Sequence, residues 1–270
     1  MPELPEVETI ANGLHRRVAG DRIESVWVGS KPEPLKSPAA EISSALAGAR
    51  VERVRRVGKH IVFDLQSSTK QDGSQWIVHL GMTGRMLVSS PEVETPKHTH
   101  LVAKLGSGRE LRFVDPRRFG RLEVRSGGFR GPGAEPLQVT AQEFAEMFHR
   151  SKAPIKAALL NQKFLHGVGN IYADEALFRA GIRPRRRANS LTRAELGRLH
   201  QALKKVLQAA IAAGGSSISD YVDADGEAGF FQIQHRVYGR DSKPCLKCKT
   251  AIKKIVVAGR GTHYCPRCQK

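Results

Sequence analysis

Four cysteines and one proline carry the most specific chemistry in this 270-residue chain. Cys245, Cys248, Cys265 and Cys268 all fall in the last 26 residues, as two C-x-x-C pairs separated by 16 residues. Two thiolate knuckles at that spacing suit one tetrahedral, structural zinc ion, each knuckle at a tight turn of a hairpin. Disulfides would staple a small secreted domain, which nothing else here suggests, and four unligated thiols are the remaining reading. The second feature is the start, Met1-Pro2-Glu3. Removal of Met1, favoured by the small residue behind it, makes Pro2 a free secondary amine. An α-amine titrates near about 8 and a lysine near about 10.4, so at pH 7 its unprotonated fraction is a few hundredfold larger. Such an amine is a nucleophile toward an electrophilic carbon, and Glu3 can serve it as general acid or base. A proline with no chemical role fits the same three residues.

Other candidates say less by themselves. Arg260 stands between Gly259 and Gly261, and flanking glycines let a backbone approach a phosphate closely. Asn170 follows Gly167 and Gly169 at an expected helix start, where backbone N–H groups bind phosphate. A plain N-cap is the alternative, and both can hold at once. Lys59, behind Arg55 and Arg56, reads as a basic edge between strands. Met82 and Phe119 read equally well as core residues beside strands.

Elements that could position these groups follow from the hydrophobic pattern. Residues 22–124 are mostly β: IESVWV (23–28), HIVFDL (60–65), WIVHLGM (76–82) and HLVAKL (100–105) are short β-branched or aromatic runs between turn residues. Val7, Ile10, Ala11 and Leu14 predict a helix before them. GGFRGPGAEP (127–136) reads as a hinge between two domains. Beyond it the period turns helical over 141–150, 155–162, 170–180 and 192–213, the last opened by Thr192 and Glu195 as a capping box. Residues 214–230 form a polar, Gly-rich loop long enough to be functional.

Charge narrows the partner. Lys and Arg total 44 against 26 Asp and Glu, a net +18, with +5 in residues 1–135 and +13 in 136–270. That excess attracts polyanions, nucleic acid first, with an anionic membrane or acidic protein as alternatives. No apolar run reaches the roughly 18–20 residues of a membrane span. The first ten residues carry three Glu and no Lys or Arg, unlike a signal peptide. The expectation is a cytoplasmic protein without membrane contact.

Several stretches, in order, resemble the bacterial formamidopyrimidine-DNA glycosylase family: MPELPEVET at the start, RRVGKHI (55–61), HLGMTGRM (79–86), DPRRFG (115–120), GVGNIYADEALFRAGI (167–182) and GRGTHYCPRCQK (259–270). They span the chain, and the opening is closer to this branch than to endonuclease VIII, whose openings read PEGPE. The resemblance implies an α+β fold of two domains. Residues 1–130 would be a catalytic β-sandwich with flanking helices and 131–137 the hinge. Residues 138–235 would be a helical helix–two-turns–helix domain with a lesion-covering loop at 214–230, and 236–270 a zinc-binding β-hairpin.

The resemblance also implies a bifunctional glycosylase and lyase of base excision repair, a bacterial, nucleoid-associated monomer. It would act on double-stranded DNA containing an oxidised purine (8-oxoguanine, formamidopyrimidines) or an abasic site. Pro2 would form a Schiff base with C1′, Glu3 would protonate the opening sugar, and β,δ-elimination would involve Lys59 and Arg260. Glu6 would assist by helix-start electrostatics or a bound water, or be a solvated helix-face charge. Met82, Arg117 and Phe119 would fill the void left by a flipped nucleotide. Asn170, Lys152, Lys156 and His98 would contact DNA, while His79 and His100 are expected to be structural. Ser217, Tyr221 and Glu227 are candidates in the covering loop. An endonuclease VIII-like enzyme for oxidised pyrimidines is the alternative that Arg117 and Phe119 argue against. A non-catalytic zinc-ribbon binder would explain charge and cysteines but leave Pro2 and Glu3 idle.

Overall fold

The computed structural model describes residues 1–66, 73–216 and 231–270. The chain divides into two compact units, Met1–Arg130 with residues 214–216, and Gly131–Ala213 with Phe231–Lys270.

In the first unit, α1 (Leu4–Val18) buries Val7, Ile10, Ala11, Leu14 and Val18, which recur at helical spacing. Pro5 sits in its first turn, where a missing N–H breaks no helical bond. There follow β1 (Ile23–Val28), α2 (Ala39–Leu46), β2 (Arg50–Val57), β3 (His60–Gln66), β4 (Ser74–His79), β5 (Arg85–Ser89), β6 (Thr99–Leu105), β7 (Glu110–Val114) and β8 (Arg121–Ser126). All pairings are antiparallel, in two four-stranded sheets ordered β1-β6-β7-β5 and β2-β3-β4-β8. Inward residues of both sheets and the apolar stripe of α1 make one core, in which Phe63 stacks on Trp76 at 4.6 Å. The unit is therefore a β-sandwich with flanking helices.

The strand expected over 76–82 stops at His79. Gly81 has φ +62°, and a Cβ on Gly84 would lie 2.3 Å from the Leu80 carbonyl oxygen, so the backbone must turn there. That turn lifts Met82 out of the sheet. The pattern marks no range for α2, β5, β7 and β8, and marks β2 only as a strand before Lys59. In β2 a bulge between Val51 and Arg53 sets Val51 and Val54 three residues apart on the core face, while Val57 is buried on the opposite face with Val62 and Ile77.

The second unit holds α3 (Ala141–His149), α4 (Ile155–Leu160), α5 (Asn170–Ala180), α6 (Arg193–Ala212) and the hairpin β9 (Lys253–Val257) and β10 (Arg260–Tyr264). The expected capping box is present: Glu195 donates its N–H to Thr192 Oγ1 at 3.2 Å, and Thr192 N–H reaches the Glu195 carboxylate at 2.8 Å. α3 and α5 pack on α6, with Phe144 and Phe148 fully buried and Phe144 against the His200 ring. Gly181, at φ +73°, closes α5 in the left-handed conformation. Ala258 (φ +49°) and Gly259 (φ +73°) join β9 to β10 as a two-residue turn that places Arg260 beside the tip. Among the described residues no helix is long and apolar enough to cross a membrane.

Trp76 is fully buried, yet its indole N–H has no hydrogen-bond partner among the described residues. Replacing it with Phe keeps the aromatic stack and removes an unsatisfied donor. W76F should therefore cost under about 1.5 kcal/mol, against about 3–5 kcal/mol for W76A, in urea unfolding of the purified protein. Equal losses would show that the ring volume alone does not set the cost.

Candidate active site and zinc centre

The N-terminal residues are held by a buried acid. Pro2 is half-buried and precedes Glu3, the N-cap of α1. Glu3 and Glu6 are both buried. The Glu6 carboxylate accepts the Glu3 N–H at 2.8 Å and the Ser216 N–H at 2.9 Å. Glu6 is thus no solvated face charge, the alternative the sequence allowed. It ties the chain start to residues 214–216, whose Gly215 (φ +84°) leaves no slack: a Cβ there would lie 3.0 Å from the Glu6 side chain. The first turn of α1 turns its positive end toward Pro2 and Glu3.

Lys59 lies in the turn between β2 and β3 and is buried. Across the sheet its neighbour His60 pairs with His79, which pairs with Arg121. Burial first, then the charges of Lys59 and Arg121, hold the His79 pKa down at about 4. A neutral His79 can accept, and its Nδ1 takes the Gly81 N–H at 3.2 Å, at the root of the Met82 turn.

Asp115 organises the loop that bears Arg117 and Phe119. Fully buried, it accepts the Gly120 N–H (2.7 Å), the Thr83 hydroxyl (2.5 Å) and the Arg117 N–H (3.3 Å), so one carboxylate joins the 80–84 and 115–120 turns. His100 Nε2 bonds its carbonyl at 2.9 Å. Both turns present apolar groups to solvent: Met82 is 44% and Phe119 47% exposed. This removes the core alternative for both. The Arg117 guanidinium lies 4.7 Å above the Phe119 ring. His98 is exposed at φ +68°, on the 90–98 loop whose Ser90, Val93 and Glu94 carbonyls accept from buried Arg112. Arg112 is paired with Glu110 at 2.8 Å.

In the second unit the N-cap of α5 is Gly169, and Asn170 is the first helical residue, which corrects the expected cap. Asn170 Nδ2 donates instead to the Gly261 carbonyl at 3.0 Å. Lys156, expected as a surface contact, has 0% exposure. Its ammonium binds Asp174 at 2.6 Å and the Gly261 carbonyl at 3.1 Å, so it faces protein rather than a phosphate. Lys152 and Arg260 are exposed. Asp174 and Glu175 are both fully buried. Glu175 accepts three successive backbone N–H groups, of Arg236, Val237 and Tyr238, at 2.9–3.0 Å. Asp115, Asp174 and Glu175 went unread because an acid in sequence looks like surface charge. Asp115, followed by Pro116 and closed by Gly120, carried the one usable turn signal. Ser217, Tyr221 and Glu227 lie outside the described residues.

The four cysteine sulfurs lie within 4.8 Å of one another, with Cys245–Cys268 at 4.0 Å and Cys248–Cys265 at 3.4 Å. Four ligands at about 2.3 Å from a tetrahedral zinc stand about 3.8 Å apart, so the cluster fits one ion. Lys247 N–H points to Cys245 Sγ and Cys268 N–H to Cys265 Sγ, both at 3.4 Å, as expected of sulfurs carrying negative charge. Four thiolates complete the shell and leave no position for water, so the zinc is structural.

Two outcomes follow. C265S should lose the zinc and the order of the 236–270 hairpin while the N-terminal sandwich keeps its urea midpoint; retained zinc would contradict the four-sulfur site. His79, whose folded pKa is lowered, stabilises fully above pH 6.5, and that contribution is lost as pH falls toward 4. H79N should flatten this part of the stability–pH curve by about 3 kcal/mol, and an unchanged slope would refute a buried neutral imidazole.

Comparison with known proteins places this geometry. Three family models match in order: the formamidopyrimidine-DNA glycosylase N-terminal domain over residues 1–122, its H2TH domain over 131–222, and a zinc finger found in FPG and IleRS over 242–270. The formamidopyrimidine-DNA glycosylase of Solibacter usitatus is 43% identical over 279 residues, covering all of both chains. The Lactococcus lactis FPG, solved as a mutant with Fapy-dG-containing DNA, superposes with a TM-score of 0.91 at 34% identity over both full chains. The Thermus thermophilus MutM (FPG) protein gives 0.86 at 42% identity, covering 99% of this chain and 98% of that one. The chain belongs to the formamidopyrimidine-DNA glycosylase family, DNA glycosylases of base excision repair whose activity is that of glycosylase and lyase.

Proposed function

We propose that this enzyme excises oxidised purines from duplex DNA through a Schiff base on Pro2. Once Met1 is gone, the deprotonated proline nitrogen has a localised lone pair, whereas that of an amide nitrogen is delocalised into its carbonyl. It bonds to C1′ as the glycosidic bond breaks and the base leaves with that electron pair. Glu3 gives a proton to the ring oxygen, the C1′–O bond opens, and the amine, having lost its proton, remains as an iminium. The iminium acidifies the sugar: loss of a C2′ proton expels the 3′ phosphate, and loss of a C4′ proton expels the 5′ phosphate. The observation that carries this reading is the pinned start of α1, where buried Glu3 adjoins Pro2 and Glu6 fixes the Glu3 backbone.

Lys59, in its buried turn, supports proton removal in the elimination steps. Exposed Met82 and Phe119 suit wedging into the stack, and Arg117 can donate two hydrogen bonds to the widowed cytosine. Lys152, His98, Asn170 and Arg260 serve as contacts to phosphate. Zinc, when bound, supplies rigidity to the hairpin that bears Arg260. The Lactococcus relative has been solved with DNA containing Fapy-dG, an abasic site, and an oxidised pyrimidine. Oxidised pyrimidines are therefore a second candidate substrate, and single-turnover excision from 8-oxoguanine and thymine glycol duplexes separates the two readings.

Borohydride reduction of a mixture with 8-oxoguanine duplex should give a protein lacking Met1 and heavier by one sugar-linked DNA fragment, read by intact mass. A protein that cleaves the duplex yet yields no adduct refutes the covalent route. F119A should slow excision of the base about tenfold or more while cleavage of an abasic site changes less than twofold. Equal losses on both substrates would contradict the wedge.

A further inference from the structure

The Gly261 carbonyl accepts from two side chains at once, Lys156 Nζ at 3.1 Å and Asn170 Nδ2 at 3.0 Å. Two residues along β10, the His263 N–H donates to Asp174 Oδ2 at 2.8 Å, while Asp174 Oδ1 holds Lys156 at 2.6 Å. Between them Thr262, fully buried, donates its hydroxyl to the Arg260 carbonyl at 2.9 Å. The strand is thus gripped at 261 and 263 from α4 and α5, immediately beside an arginine whose own side chain is exposed. A two-residue turn leaves Arg260 at the hairpin tip, where the β-ladder ends and no further pairing can fix it.

We infer that Lys156, with Asp174, is a positioning residue that acts through the Gly261 peptide to aim Arg260 and Asn170 at one phosphate; the inference rests on the roles proposed above for those two residues. A fully buried ion pair adds little stability over packed apolar side chains of equal volume. Its particular contribution here is a charged donor on a carbonyl, a stronger interaction than a neutral donor makes. Lys156 anchors two groups together: it holds the carbonyl of Gly261, the residue after Arg260, and that oxygen also orients the Asn170 amide. A lysine that touched phosphate itself would behave differently, because its removal would weaken binding whether or not Arg260 were present.

The test is a cycle between R260A and the neutral pair replacement K156M/D174N, which leaves no unpaired charge buried. Wild type, each variant and their combination are assayed on an abasic-site duplex for the δ-elimination rate and for borohydride trapping. With Arg260 present, K156M/D174N should slow δ-elimination about tenfold and change trapping less than twofold; in the R260A background it should change δ-elimination less than twofold. K156Q/D174N, whose amide can still donate to Gly261, should recover part of the loss. The same tenfold cost with and without Arg260 would overturn the inference, as would no cost at all. δ-Elimination untouched by R260A would refute the role of Arg260 and the route through it together, whereas a loss in R260A with none in K156M/D174N refutes only the positioning. If neither pair replacement retains zinc, Lys156 is required for the fold and the positioning role is overturned.

Discussion

A carboxylate taken out of water must have its lone pairs filled, and in this protein backbone N–H groups fill many of them. Glu6 takes those of Glu3 and Ser216, Asp115 those of Gly120 and Arg117, Asp174 that of His263, and Glu175 those of Arg236, Val237 and Tyr238. Each bond is charge-assisted and sits where the surroundings hold little water, so breaking it leaves an uncompensated buried charge. Turns that would otherwise fluctuate are thereby locked to the rigid elements beneath them.

The arrangement explains how a chain of net charge +18 can offer exposed cations and aromatics with defined aim. Met82, Arg117 and Phe119 stand on turns joined by Asp115, and Arg260 stands on a hairpin gripped through Lys156 and Asp174. Among the described residues six acids are buried, Glu3, Glu6, Glu110, Asp115, Asp174 and Glu175, against the basic Lys59, Arg112 and Lys156, so the surface that meets a polyanion is more basic than composition alone suggests. Within each unit, groups held in this way need little reorganisation when a ligand arrives, which is the condition under which electrostatic groups act most strongly.

Much of this was legible beforehand. The capping box at Thr192 and Glu195, the long strands of β3 and β6, and the paired cysteines each announce themselves through local spacing, and the structure bears them out. What escaped is what depends on distant partners. The extent of β2 was hidden because its bulge breaks the alternation between Val51 and Val54, and β7 because Glu110 and Arg112 are buried as a pair, so charge there does not mark an exposed face. Lys156 looks like any surface lysine until α5 brings Asp174, 18 residues later, against it. Met82 and Phe119 pose the opposite problem: apolar residues beside strands read as core, and only the turns at Gly81 and Asp115 put them outside.

The most direct measurement of the central claim is amide hydrogen exchange of the free protein, resolved at single residues. Gly120, Ser216, Val237 and Tyr238 bond to buried carboxylates rather than to a β-ladder or helix. They should exchange as slowly as the amides of β3 and β4, because each opens only when its supporting unit opens. Exchange at the rate of ordinary surface turns would contradict the account and leave the exposed groups without their anchors.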